Sequence, residues 1–224
     1  ETDFSQAEDL SDKHPQIKEK LIKLWHKQAK ENNVYPINSD RMESLLNAMQ
    51  GPKREVYDFW GNNTSISAHP QGLGNPATFS GAFTIAADIT LQDSASGVIL
   101  ALGGHSAGWS FYLENGYPVF SYARSSLPGH TFTARSTTKL AAGDHTLKVN
   151  FISKGVYQPA QIEIIMQEEV IASAAVERTW MMPLEIGEHL DAGRDTGVPV
   201  VDYMTKNGKL QGTIKHARLK LSQQ

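Results

Sequence analysis

A chain of 224 residues, 40% hydrophobic and 20% charged, is long enough for one large domain, or one domain with a smaller companion. Its formal net charge is -3, with nine Lys/Arg against eleven Asp/Glu in residues 1–60 and twelve against thirteen beyond, so no basic surface offers itself to nucleic acid or an anionic membrane. The absence of cysteine excludes disulfides, thiolate metal sites and cysteine nucleophiles, and no apolar run approaches the ~18–20 residues of a membrane span. The chain opens at Glu1 without a basic and then apolar leader, and it reads as a piece of something longer.

The first predicted element is a helix from His14 to Asn33. Ile17, Leu21, Leu24, Trp25 and Ala29 fall on one face, Pro15 suits the first turn, and Asn32-Asn33 is the stop. "VYPI" (34–37) then reads as extended, because Pro36 disfavours helix at Tyr35. A second short helix is expected over Ser39–Met49, with Met42, Leu45, Leu46 and Met49 as its face and Gly51-Pro52 as its end. From there to about Thr78 the chain is rich in Asn, Gly, Pro and Ser, which reads as a loop or an irregular edge strand. The expected division is a helical segment over 1–60, an irregular linker over 61–75, and a β region over 76–224.

In the β region the period changes to two. "FTIAADITL" (83–91) places Phe83, Ile85, Ala87, Ile89 and Leu91 on one face. "WSFYL" runs through Glu114-Asn115-Gly116 into "YPVFSY", and Asn-Gly between alternating runs is a strong hairpin signal. Further strands read as "HTFTAR", "HTLKVNF", "QIEIIMQ", "VIASAAV" and "TIKHARLKL", with Glu168-Glu169 as a tight turn. Many short strands without intervening helices predict a mainly β, antiparallel two-sheet sandwich behind an N-terminal helical segment. About half of Trp109, Phe111, Tyr112, Phe120 and Tyr122 should then fill the core rather than form a sugar-stacking platform.

"GGHSAG" (103–108) contains Gly-x-Ser-x-Gly, which makes Ser106 a candidate esterase nucleophile, with Asp191 or Asp195 and His216 following in hydrolase order. A nucleophile elbow needs a helix after the serine. Gly108 is instead followed by a hairpin, so the segment is expected to be a glycine-rich connection between strands.

"ETDFSQAEDLSDKHPQIKEKLIKLWHKQAKENNVYPI" resembles the C-terminal stretch of bacterial arylsulfatases. "LDAGRDTGVPV" (190–200) and "LQGTIKHARLKL" (210–221) are similar to the end of large arylsulfatases that add a laminin-G-like or concanavalin-like jelly roll. The resemblance implies a non-catalytic C-terminal module that packs on a sulfatase catalytic domain absent from this chain, in the periplasm or outside the cell. The formylglycine and calcium of that family belong to the missing domain. The nearest serine match to its Cys/Ser-x-Pro-x-Arg motif, at Ser126, has His130 where Arg is required. No catalytic residue, cofactor or metal ligand is therefore expected here. The alternative reading is a carbohydrate-binding module for sulfated polysaccharide.

Candidate contact residues are Asp191, Arg194 and Asp195 in "DAGRDTG", and Trp25 on the helix. Arg194 suits either an anionic sulfate ester or an internal pair with the two aspartates that pins the loop. Calcium held by Asp191 and Asp195 would put Arg194 awkwardly close.

Overall fold

Alternation along "FTIAADITL" sets the pattern of the structure, a computed structural model that describes residues 7, 9–35, 37, 54–67, 79–181 and 188–222. Phe83, Ile85, Ala87, Ile89 and Leu91 are buried while the residues between them are not, so one face of this strand lines a core. Contacts divide the chain into two units, Glu1–Ser44 and Leu45–Gln224.

In the first unit, α1 spans Pro15–Glu31 and begins on Pro15. It stops where the sequence places the stop, with Asn33 left-handed at φ 54° and the Val34 N–H returning to the Ala29 carbonyl at 2.8 Å. Ala29 is buried, whereas Ile17, Leu21, Leu24 and Trp25 are exposed along the apolar stripe. The helix expected over Ser39–Met49 lies outside the described residues. Among those described, no helix is long and apolar enough to cross a membrane.

The second unit is a sandwich of two six-stranded antiparallel sheets. Its strands are β1 (Val56–Phe59), β2 (Thr64–Ser67), β3 (Phe83–Leu91), β4 (Gly97–Gly104), β5 (Ala107–Glu114), β6 (Tyr117–Ala123), β7 (Thr131–Arg135), β8 (Gly143–Ser153), β9 (Ala160–Met166), β10 (Glu169–Val176), β11 (His189–Ala192) and β12 (Gly212–Leu221). The first sheet has the order β1-β12-β3-β8-β9-β10 and the second β2-β11-β4-β5-β6-β7. Between them Phe83 stacks on Phe151 at 4.9 Å, Tyr122 on Phe151 at 5.1 Å and Phe79 on Tyr122 at 4.9 Å, with Trp109 tilted against Phe83. The buried Tyr122 hydroxyl accepts the Trp180 N–H at 2.9 Å.

Asn115 and Gly116 both take positive φ in the β5–β6 turn, as the Asn-Gly signal requires. The β9–β10 turn is Gln167-Glu168, one residue earlier than expected, because Glu169 already pairs with Met166. The sheets also reach further back along the chain than the alternation suggests. β1 and β2 lie in the stretches read as helical segment and linker, and each is only four residues long, too short for a visible period. β4 and β11 carry no alternation either, since β4 is buried on both faces.

A bulge in β12 leaves Lys215 unpaired between Ile214, opposite Ile89, and His216, opposite Asp88. Ile214 can thus point inward with Ala217 and Leu219 although it lies an odd three positions before Ala217.

Candidate functional site

The two sheets present very different outer faces. Across the second sheet, the register aligns Ser65, Asp191, Ala101, Ser110, Ser121 and Thr133 in one row of small or short side chains. Such a row leaves room for covering chain, and residues 193–210 supply it as a clasp. Val201 and Tyr203 pack on Val98, Ala101, Tyr112 and Val119. The clasp is fastened at both ends: Gly193 N–H donates to the Ile99 carbonyl at 3.1 Å, and Leu210 N–H to the Gly193 carbonyl at 2.9 Å. Of the five aromatics considered as a platform, Trp109, Phe111, Phe120 and Tyr122 are in the main core and Tyr112 lies beneath the clasp.

Of the sequence-predicted residues, Arg194 and Asp195 sit in this clasp and Asp191 on β11 beside it. Asp191, fully buried, accepts the Thr196 N–H at 2.5 Å and the Thr196 hydroxyl at 2.6 Å on Oδ2, while its Oδ1 is buried without a partner. Asp195 accepts the Val200 N–H at 3.0 Å and the Tyr203 hydroxyl at 2.5 Å on its own Oδ2. Burial pushes the Asp195 carboxyl up to about 7, against those two bonds and with the charges of Asp191 and Glu188 adding to the rise. Tyr203, also held up by burial and by Asp195, shares a hydrogen bond with Ser110 at 2.8 Å. Among the described residues Arg194 forms no ion pair, and its Nε is buried without a partner. The expected Arg–carboxylate pin is therefore replaced. The aspartates hold the loop through backbone N–H groups and hydroxyls five to eight positions on, which cost less entropy to fix than a long guanidinium. With three acidic side chains and one arginine close together, this loop does not favour an anionic sulfate ester.

Ser106 lies in the two-residue turn between β4 and β5, with strand on both sides and no helix after it. His216 is on the first sheet, bonded to Asp58, and nothing brings it to Ser106. Trp25 is 46% exposed on α1, with the Tyr35 ring edge-on at 5.6 Å. Among the described residues, no group of three His, Cys, Asp or Glu side chains is arranged to hold a metal ion.

The outer face of the first sheet is open and polar. Asp58, Arg218, Ala86, Lys148, Ile165 and Val170 cross five of its pairings in register, and none is buried. Asp58 takes His216 Nε2 at 2.7 Å and Arg218 Nε at 2.7 Å on Oδ1, and Arg218 Nη2 at 3.3 Å on Oδ2. The Arg218 and His216 bonds hold its carboxyl below the usual carboxylate range. Beside this cluster is a cleft of about 310 Å³ lined by Asp88, Ile89, Asp144, His145, Thr146 and Lys215. Sequence reasoning missed this face because its residues are spread over β1, β3, β8 and β12. One signal was legible, a tryptophan at position 60 inside an Asn/Gly-rich stretch.

No family model matches the chain, and no curated protein sequence matches it. Among solved structures it is similar to the CBM40 of the Ruminococcus gnavus IT-sialidase bound to α2,3-sialyllactose, at a TM-score of 0.51 and 14% identity over 75% of this chain and 92% of that one. A second structure of the same Ruminococcus gnavus CBM40 matches at 0.51 and 13%, covering 76% and 92%. A looser likeness, at 0.43 and 11%, covers 75% of this chain and 41% of domains LG4-5 of the mouse laminin α1 chain. What the CBM40 likeness shows is the fold: a mainly β, two-sheet antiparallel jelly roll.

Proposed function

We propose that this chain is a glycan-binding module. The observation that carries the reading is the uncovered, polar outer face of the first sheet with its 310 Å³ cleft, a size suited to a sugar, while the opposite face is closed by its own chain. The fold shared with a CBM40 solved with sialyllactose supports the same reading. Such a module would work in the periplasm or outside the cell. The test is a printed glycan array probed with the purified chain: binding to a defined set of glycans is expected, and no binding to any neutral, sulfated or sialylated glycan overturns it.

A second reading, the accessory module of an arylsulfatase, is supported by the sequence resemblance and by the exposed stripe Ile17, Leu21, Leu24 and Trp25 on α1. The coding sequence upstream of Glu1 tests it. A sulfatase core with Cys/Ser-x-Pro-x-Arg is expected, and any other neighbour removes it. The two readings are compatible, since a binding module can serve a catalytic partner.

A further inference from the structure

Resting on the glycan-binding reading, we propose that Trp60 and the cleft beside it form an extended subsite for an uncharged glycan of at least two pyranose rings. Phe59 points into the core, so Asp58 and Trp60 on either side of it both face outward. Trp60 is 66% exposed, the most solvent-accessible large hydrophobic residue among those described. One face of its indole lies on the His216 imidazole, 5.2 Å between centroids and 27° between planes. That imidazole is itself held by Asp58, and Asp58 is held by Arg218. The indole thus rests on a braced planar support, with its other face left to solvent. A tryptophan fixed in this way loses little freedom when a ligand settles on it, and the apolar C–H face of a pyranose matches its open face.

The surface continues from the indole into the cleft. His216 pairs across β12 and β3 with Asp88, and Asp88 accepts the Thr146 hydroxyl at 2.6 Å from β8. Two strand spacings of about 4.8 Å separate the His216 support from Thr146, a span of about 10 Å that accommodates about two pyranose rings. The far wall is Asp144, which accepts Lys215 Nζ at 2.6 Å and the Thr90 hydroxyl at 2.6 Å. Carboxylates, hydroxyls and an ammonium at fixed positions are the groups that read sugar hydroxyls.

Charge selects the class. Arg218 is occupied by Asp58 and Lys215 by Asp144, so each positive charge of the platform and cleft is already matched, and Asp88 adds a further negative one. A sulfate or carboxylate placed here would have to break a pair or face Asp88. An uncharged glycan meets neither cost, so the ligand differs in class from the sialylated one in the CBM40 structure of the same fold.

The test is a printed array of neutral, sulfated and sialylated glycans with the whole chain, then calorimetry with the strongest neutral glycan and its constituent monosaccharide. Neutral glycans should bind best. Trp60→Ala should weaken binding at least about tenfold, Trp60→Phe by less than about fivefold, and Ser106→Ala not at all. The monosaccharide should bind at least about tenfold more weakly. Affinity should change less than about twofold between about 0.05 and 0.5 M salt. Preference for acidic glycans with steep salt dependence, or unchanged binding by a folded Trp60→Ala, overturns the subsite and leaves glycan binding standing. Silence across the whole array overturns both.

Discussion

The Tyr203 hydroxyl donates to Oδ2 of Asp195 at 2.5 Å and so ties the middle of the clasp back to its start. The Asp195 carboxyl, raised by burial from 3.8 to about 7, binds its proton more tightly folded than unfolded. Its contribution to stability is therefore full below about pH 4 and is lost as pH rises through about 7. At ~1.4 kcal/mol per pH unit, the loss over that window is about 4 kcal/mol. Urea unfolding from pH 4.5 to 8 should show stability falling across it, and Asp195→Asn should flatten the fall. An equal slope in the variant would show that another group is responsible.

Gly193 and Gly129 share a left-handed backbone, at φ +79° and +78°, but not their surroundings. A Cβ on Gly193 would lie 2.4 Å from the Asn62 Cα, whereas one on Gly129 meets nothing within 4 Å. Gly129→Ala should cost only the backbone strain, about 1 kcal/mol. Gly193→Ala should cost about 2–4 kcal/mol, because backbone must move. Thermal melts of the two variants side by side measure the difference, and equal losses would refute the close approach.

Asn62 is also a clamp. Its amide donates to the Gly212 carbonyl at 2.7 Å, and its Oδ1 accepts the Ile214 N–H at 2.9 Å. Asn62→Ala removes both bonds, with an expected loss of about 1–3 kcal/mol in chemical unfolding. Asn62→Asp, which keeps only the acceptor, should lie between. If alanine is neutral, water replaces the clamp without cost.

Ser106 should stay unlabelled by a fluorophosphonate probe, because its turn joins two strands without a helix N-terminus and His216, the base in hydrolase order, is bonded to Asp58 on the other sheet. Labelling of the wild-type chain that vanishes in Ser106→Ala would contradict this.

How much was legible follows from which residues carry a period. β3 was readable to its last residue, since burial alternates along it and a half-buried strand writes that alternation into its side chains. β4, buried along its whole length, writes none, so no strand is legible in "GVILAL", and its last two glycines fall within the expected connection 103–108. Asp191 on β11 and Asp195 in the clasp stand out in the sequence by the glycines around them. Asp195 meets Tyr203 eight positions on, and Tyr203 in turn bonds Ser110, 93 positions away on β5, a link that spacing does not reveal. The Trp60 face was harder still, for Asp58 and His216 are 158 positions apart and meet only because β1 pairs with β12.

The bulge at Lys215 makes that strand unusually forgiving of a lost residue. Ile214 and His216 already oppose the consecutive partners Ile89 and Asp88, so excising Lys215 leaves both flanking registers as they are and lets the strand run straight. Most single-residue deletions within a paired strand turn its buried side outward, whereas this one should spare the core. What disappears is the ammonium that grips Asp144 across the sheet. The extra residue should thus be dispensable for folding, and its presence brings Lys215 to Asp144 on the outer face.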